Sequence, residues 1–387
     1  MQSITVLGDL HYEPVDRAEF VAARRQMMDL APDAVFQLGD LGGYSHCGSW
    51  RSFEEGRDLL EGFERPYYTL MGNHDLEGAE YATDEQSVAA WCEAFDYARP
   101  YQLVDLGAAL AICLSSTSFR ANPSSHHEVR LGTEQLRWLR QTLAANRQRP
   151  TFIFAHVPPI GSGLRVLQNI HLKCPNAWMN HTDRPEQMFR LIQEFPQIKL
   201  WFSAHNHLGQ QYADSITRVG QCTFAHTGVI GPVSRDGCRQ SRLVEFDRRG
   251  FTLSTVDHYR RTCMPDWQHA YDGPVERLSH VELPVEAIHF APSAMPQAAD
   301  RLEIGRSVFG VARDMLVEYD REMAAPIGVV CDLDDGDRVE VRGRILEIIS
   351  ADGTMRAIPP RPDGRFFHVY APNPQLAKAA EQSRKSA

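Results

Sequence analysis

Nine side chains in the first two-thirds of the chain are of types that hold cations or move protons. They are Asp9 and His11 in Gly8-Asp9-Leu10-His11, Asp40 in Gly39-Asp40, and Asn73, His74 and Asp75 in Gly72-Asn73-His74-Asp75. His156 follows alone, and His205 and His207 close the series in His205-Asn206-His207. Carboxylates, imidazoles and one carboxamide form an oxygen- and nitrogen-rich set without thiolate. Such a set suits Mn, Fe, Zn, Co or Ni rather than calcium, which prefers oxygen alone. Residues two apart on extended chain point the same way, so Asp9 with His11, and His205 with His207, can each aim two ligands at one point. Seven ligands are too many for one ordinary ion. They suit two ions about 3.5–4 Å apart that share a carboxylate, the arrangement of two-metal ester hydrolysis.

The elements that must position these groups are short apolar runs. Ile4–Leu7 precedes Asp9, Ala34–Leu38 precedes Asp40, Tyr67–Met71 precedes Asn73, Phe152–Ala155 precedes His156, and Leu200–Ser203 precedes His205; Leu110–Leu114 is a further run. Most are apolar on consecutive residues, which predicts strands buried on both faces. Phe20, Ala23, Met27 and Leu30 recur at helical spacing before Pro32. A second helix is predicted after Thr182-Asp183-Arg184-Pro185, with Met188, Leu191, Ile192 and Phe195 as its apolar stripe. Strands alternating with helices predict a layered α/β core. In such sheets the carboxyl ends of the strands line one crevice, where ligands bind.

D-x-H, G-D, G-N-H-D, a lone His and H-x-H, in that order and each after a strand-like run, resemble the calcineurin-like metallophosphoesterases. The resemblance covers roughly residues 1–260. It implies a β-sandwich flanked by helices and a binuclear metal-dependent hydrolase of phosphate esters. Carried over by motif position, Asp9, His11 and His207 would hold one metal and Asn73, His156 and His205 the other, with Asp40 bridging. A hydroxide shared by the two metals would attack phosphorus in line. His74 would act on the substrate, giving a proton to the leaving oxygen, and Asp75 would orient its imidazole. By family analogy the expected substrate is a small phosphodiester. A phosphomonoester or phosphoprotein is the alternative, ahead of a nuclease or a scaffold without catalysis. Two positions depart from the family pattern. Gly43 stands where G-D-x-x-D has its second aspartate, and Ala204 where the last motif has glycine; neither removes a metal ligand.

The 387 residues carry a net charge of −10, are 43% hydrophobic and 23% charged, and contain no apolar run of membrane-spanning length. An acidic chain repels a phosphate backbone at long range, so no nucleic-acid partner is expected. All but four of the 40 basic residues are arginine. The eight cysteines are scattered without a C-x-x-C pair, and the N-terminus shows no secretory pattern, which together predict a reduced, cytoplasmic protein. The expected organisation is a catalytic domain over 1–265, a connecting segment over 266–299, a small C-terminal module over 300–374 and a tail over 375–387. In the module, Asp300 is read as the cap of a helix with Val308, Ala312, Met315 and Tyr319 on one face. Asp-Gly pairs at 335–336, 352–353 and 363–364 then punctuate β-hairpins. The module lacks an acid–histidine cluster and has little core of its own. It is expected to pack on the catalytic core or on a second copy in a homo-oligomer. His46, His126, His127, His171, His181 and His226, and Arg165 and Trp178 between His156 and His205, are read as surface or loop residues within reach of the crevice.

Overall fold

The computed structural model describes residues 1–120, 131–159, 162, 185–212, 215–273, 301–305, 307–312, 315–321, 325–334, 336–358, 360, 366 and 369–370. The chain divides into two compact units, one over the described residues up to Gly273 and one from Arg301 onwards.

The first unit is built on two six-stranded sheets. One has the order β12 (Thr262–Ala270), β11 (Gly250–Asp257), β10 (Gln240–Phe246), β1 (Gln2–Leu7), β2 (Ala34–Gln37), β3 (Tyr67–Thr69). The other has the order β4 (Gln102–Asp105), β5 (Leu110–Leu114), β6 (Thr151–Ala155), β7 (Ile198–Ser203), β9 (Cys222–His226), β8 (Ile216–Val219). The strands β1–β2–β3 and β5–β6–β7–β9 run parallel within their sheets; β10, β11, β12, β4 and β8 pair antiparallel.

Strand alternation explains why the runs are apolar throughout. Ile4, Val6 and Phe36 turn into a core shared with Phe152, Phe154, Leu200 and Phe202 of the second sheet. Leu7 and Val35, one residue out of phase, enter a second core with Phe20, Met27, Phe53 and Trp91. Phe36 and Phe154 stack between the sheets at 4.3 Å. The helices that supply the second core are α1 (Arg17–Asp29), α2 (Trp50–Glu61) and α3 (Asp84–Ala94). On the second sheet, α4 (Thr133–Ala145) and α5 (Pro185–Glu194) bring Leu136, Leu139, Leu143, Met188, Leu191 and Ile192 into burial. The predicted first helix is α1, and its stripe Phe20, Ala23 and Met27 is buried. The predicted second helix is α5; its expected cap at 182–184 lies outside the described residues.

Two expectations about the C-terminal half are corrected. The strand β12 runs across the boundary set at residue 265, so the first unit reaches at least Ala270. The helix expected after Asp300, itself outside the described residues, is replaced by strands: β13 (Leu302–Ile304), β14 (Ser307–Ala312) and β15 (Met315–Asp320). Helical spacing misled here because a hairpin brings the same residues together, pairing Val308 with Tyr319 and Ala312 with Met315. Gly310 in mid-run also weakens a helix. A five-stranded sheet of β13, β14, β15, β16 (Ala325–Asp332) and β20 (Val369–Tyr370) is joined in this unit by the meander β17 (Arg338–Arg342), β18 (Ile345–Ile349), β19 (Met355–Ile358). Phe309, Leu316, Val330, Leu346, Ile348 and Phe366 form its core. Gly336 and Gly353 of two Asp-Gly pairs take positive φ, as tight turns require. The third pair, the connecting residues 291–299 and the tail 375–387 lie outside the described residues.

Candidate metal centre

Five parallel strands end at one place. The chain leaving β1 presents Asp9 and His11, that leaving β2 presents Asp40, and that leaving β3 presents Asn73 and His74. The chain leaving β6 presents His156, and that leaving β7 presents His205 and His207. The backbone is turned sharply to aim them. His11, Asp40, His205 and His207 have φ of 41°, 55°, 66° and 52°, in the left-handed region that side chains with a Cβ rarely occupy. Such positions cost of order 1–3 kcal/mol each and persist where the surroundings over-determine them. Here Leu10 and His11 donate their N–H groups to Asp40 O at 3.0 and 2.9 Å, which locks the first two loops together.

The seven residues expected to bind metal come together in two overlapping groups. Asp9, His11, Asp40 and His207 form one, and Asp40, His156 and His205 the other, each with ligand atoms within 4.8 Å. Asn73 joins the second, with Oδ1 3.1 Å from His156 Nε2. Asp40 belongs to both. His11 Nε2 faces His207 Nε2 at 3.2 Å, and His205 Nδ1 faces His156 Nε2 at 3.1 Å. Ring nitrogens that converge in this way ask for a shared cation. Asp40 Oδ2 is fully buried and makes no well-formed hydrogen bond, although His156 Nε2 stands 3.1 Å away. A buried, under-satisfied carboxylate oxygen amid converging imidazoles is the observation that tests the set, and it fits a metal.

The far nitrogens of two rings are fixed by backbone. His156 Nδ1 lies 2.6 Å from Leu38 O and His11 Nδ1 3.2 Å from Gly42 O, so both rings donate there and turn Nε2 inward. Electrostatics favour the ligating protonation states of Asp9, Asp40, His11 and His205. Burial would raise Asp9, but His207 and His156 outweigh it and hold the carboxylate ionised. Asp40 is held ionised in the same way by His156 and His74. Burial keeps His11 neutral, its value pushed down to about 4, and lowers His205 as well. His156 goes the other way: Asp40 and Asp9 overcome its burial and push it up to about 9.

The two residues expected to act on substrate are placed differently from each other. His74 sits at the rim, partly exposed, its ring 5.1 Å from that of His11. Asp75 does not orient it. That carboxylate is fully buried and accepts three backbone N–H groups: Oδ2 those of Asp40 and Gly72, both at 2.8 Å, and Oδ1 that of Leu41 at 2.9 Å. The group against His74 is Glu77, whose Oε1 lies 3.1 Å from His74 Nδ1. Sequence reasoning missed Glu77, although a residue three positions on lies above His74 in the short helical turn His74–Leu76.

Both departures from the family motifs find a physical reason. A side chain at Gly43 would meet Glu13, whose Oε1 lies 2.1 Å from where a Cβ would stand. Glu13 thus occupies that space and accepts from Ser45 N and Oγ at 3.2 and 2.9 Å. Ala204 is fully buried in the inter-sheet core, without positive φ, so its methyl group is tolerated. Of the other histidines, His46 bridges Glu13 and Glu55 at 3.7 and 2.8 Å. His226 is buried beneath the last motif, its Nε2 3.0 Å from Leu208 O. His126, His127, His171, His181, Arg165 and Trp178 lie outside the described residues. Tyr44, which the sequence did not single out, stacks on His11 at 4.4 Å and meets the edge of His74 at 5.4 Å, while much of its side chain is exposed. Among the described residues no helix is long and apolar enough to cross a membrane.

The chain is similar to several known proteins. A probable cyclic nucleotide phosphodiesterase of Rhodopseudomonas palustris is 29% identical over 241 residues, which are 57% of this chain and 83% of the relative. The glycerophosphodiester phosphodiesterase GpdQ of Enterobacter lignolyticus is 25% identical over 186 residues, 46% of this chain and 56% of that protein. A purple acid phosphatase from yellow lupin seeds superposes with a TM-score of 0.48 at 16% identity, over 70% of this chain and 53% of that one. The sequence model of the calcineurin-like phosphoesterases matches residues 2–209, from β1 through the His205-Asn206-His207 motif, and the chain belongs to that family.

Proposed function

We propose that this protein hydrolyses a phosphodiester bond of a small organic molecule, with two divalent transition-metal ions held at the ends of the parallel strands. The observation that carries the reading is the pair of buried ligand groups that share Asp40. Asp9, His11 and His207 would hold one ion and Asn73, His156 and His205 the other, with Asp40 between. When bound, such ions neutralise phosphoryl oxygens and make water a competent nucleophile near neutral pH. The chain's own part is to fix that geometry on two rigid sheets and to manage the leaving group's proton. His74 is the residue for the second task. Glu77 stands at Nδ1, so Nε2 is the nitrogen left to protonate the departing oxygen. His74 N donates to Asp40 Oδ1 at 2.9 Å, which ties the proton donor to the shared ligand.

The choice of a diester over a monoester is supported by the names of the two curated relatives, both phosphodiesterases. A panel of phosphomonoesters and phosphodiesters, including cyclic nucleotides and glycerophosphodiesters, tests it on manganese-loaded protein. Diesters turned over in preference to their monoesters, with activity lost on chelation, is the expected result. Faster monoester turnover overturns the substrate class, and activity indifferent to metal overturns the mechanism.

A further inference from the structure

A second set of ligand atoms stands at the rim, outside the two groups that share Asp40. Cys47, His74 and Glu77 are each half-buried and place a thiol, a ring nitrogen and a carboxylate oxygen within 4.8 Å of one another. Cys47 Sγ lies 3.6 Å from Glu77 Oε2, and His74 Nδ1 lies 3.1 Å from Glu77 Oε1. Ligand atoms about 2.0–2.3 Å from a tetrahedral zinc ion stand about 3.3–3.8 Å apart, so these spacings need only small adjustment.

The backbones of the two segments that carry the ligands approach closely. Gly48 has a φ of 66°, and a Cβ there would stand 2.5 Å from Gly78 N and 2.8 Å from Glu77 N. The loop is pinned further by Ser49 N on His46 O at 3.2 Å and by Trp50 N on Glu80 Oε1 at 2.7 Å. Cys47 is thus fixed beside Glu77. The donor chemistry also differs from that of the deep site, where no thiolate is present. Thiolate with imidazole favours zinc, and three protein ligands leave a fourth position for water.

We propose that Cys47, His74 Nδ1 and Glu77 form a separate zinc-binding site whose occupation takes His74 out of the reaction. Zinc on the site displaces both the thiol proton and the Nδ1 proton to solvent and takes the Nδ1 lone pair so freed. His74 then cannot be the imidazolium that hands a proton to the leaving oxygen. The binding itself is independent of the reaction assigned above, whereas the inhibition rests on it.

The test uses the full-length, manganese-loaded protein, to which Co(II) and, separately, Zn(II) are added. Cobalt should give a near-ultraviolet thiolate-to-cobalt charge-transfer band that Cys47→Ser lacks, because the deep ligands include no sulfur. Glu77→Gln should keep the band but need more cobalt to reach it. Zinc should inhibit the wild type at concentrations at least about tenfold below those needed for Cys47→Ser. No band in the wild type, or an equal band in Cys47→Ser, overturns the site. A Cys47-dependent band without Cys47-dependent zinc inhibition keeps the site and overturns its effect on His74.

Discussion

Asp75 accepts the backbone N–H of Asp40 at 2.8 Å, and through the N–H groups of Leu41 and Gly72 it joins the loop after β2 to the loop after β3. Asp40, common to both candidate ligand groups, is therefore positioned from below by a second buried carboxylate. Burial, with Asp40 close by, pushes Asp75 up to about 6, which these N–H groups oppose. Asp75→Asn replaces an acceptor by a donor facing backbone donors. The expected loss is about 2–4 kcal/mol of stability, with metal affinity reduced about 10–100-fold. Thermal melts and metal titrations of Asp75→Asn and Asp75→Ala check this. A variant that melts and binds metal like the wild type would show that the carboxylate is dispensable.

Asp40 is the residue common to both ligand groups. Its replacement by Ala should lower bound metal at both positions and abolish turnover, whereas Asn73→Ala should spare the group of Asp9, His11 and His207. Metal content by elemental analysis, read beside activity, distinguishes the two. Equal metal content in Asp40→Ala and wild type contradicts the shared role.

His74 lies outside the two groups that share Asp40, so metal content and rate should separate. His74→Ala is expected to keep the metal of those two groups and lose about 10²–10⁴ in rate, most on substrates with poor leaving groups. Glu77→Gln should show the same leaving-group dependence with a smaller loss, because it removes the charge beside Nδ1 and leaves the ring. Rates across aryl and alkyl diesters of graded leaving-group acidity give the slope directly. A uniform loss in His74→Ala would assign the ring to phosphate positioning.

How much of this was legible follows from where each group stands relative to a strand. Asp9, Asp40, Asn73, His156 and His205 follow directly on apolar runs, and a strand end is readable from composition. Glu77 and Cys47 belong to irregular segments brought together across 30 positions by the Gly48–Gly78 approach, which no periodicity records. Asp75 illustrates a subtler failure, since the family resemblance implied contact with His74 while the turn sends its carboxylate into the interior. The space taken by Glu13 at Gly43 was likewise invisible, because a missing side chain does not announce its replacement.

Two histidines remote from the site give a sign for acid stability. Burial, and then Arg239, pushes His258 down to about 4; burial, with Arg218 and Lys199, does the same to His269. An unfolded histidine titrates near 6.5, so between about pH 6.5 and 4 the unfolded chain binds more protons. Stability is thus complete above that window and falls as pH drops through it. His258→Gln should flatten the decline, as measured by melts of metal-free protein from pH 7 to 4.5. An unchanged slope would show that His258 takes no part.

The last prediction concerns where the first unit ends. Arg242 on β10 is fully buried, donates to His226 O at 3.1 Å and Thr255 Oγ1 at 3.0 Å, and has Asp266 as its carboxylate partner. Asp266 lies on β12, beyond the boundary that the sequence suggested, together with Trp267, which packs against the inter-sheet core. A chain cut after residue 265 would leave the guanidinium buried without its counterion and uncover Gly250–Leu253 of β11. Breaking a buried pair from one side costs about 3–5 kcal/mol, before the loss of strand pairing is counted. A chain cut after residue 273 keeps both, along with every residue proposed to hold metal. The longer fragment should fold cooperatively and bind metal, while the shorter one should melt at least about 5 °C lower or aggregate. Melting curves and metal titrations of the two fragments decide the matter. Equal stability would mean that Asp266 and β12 contribute nothing to the catalytic unit.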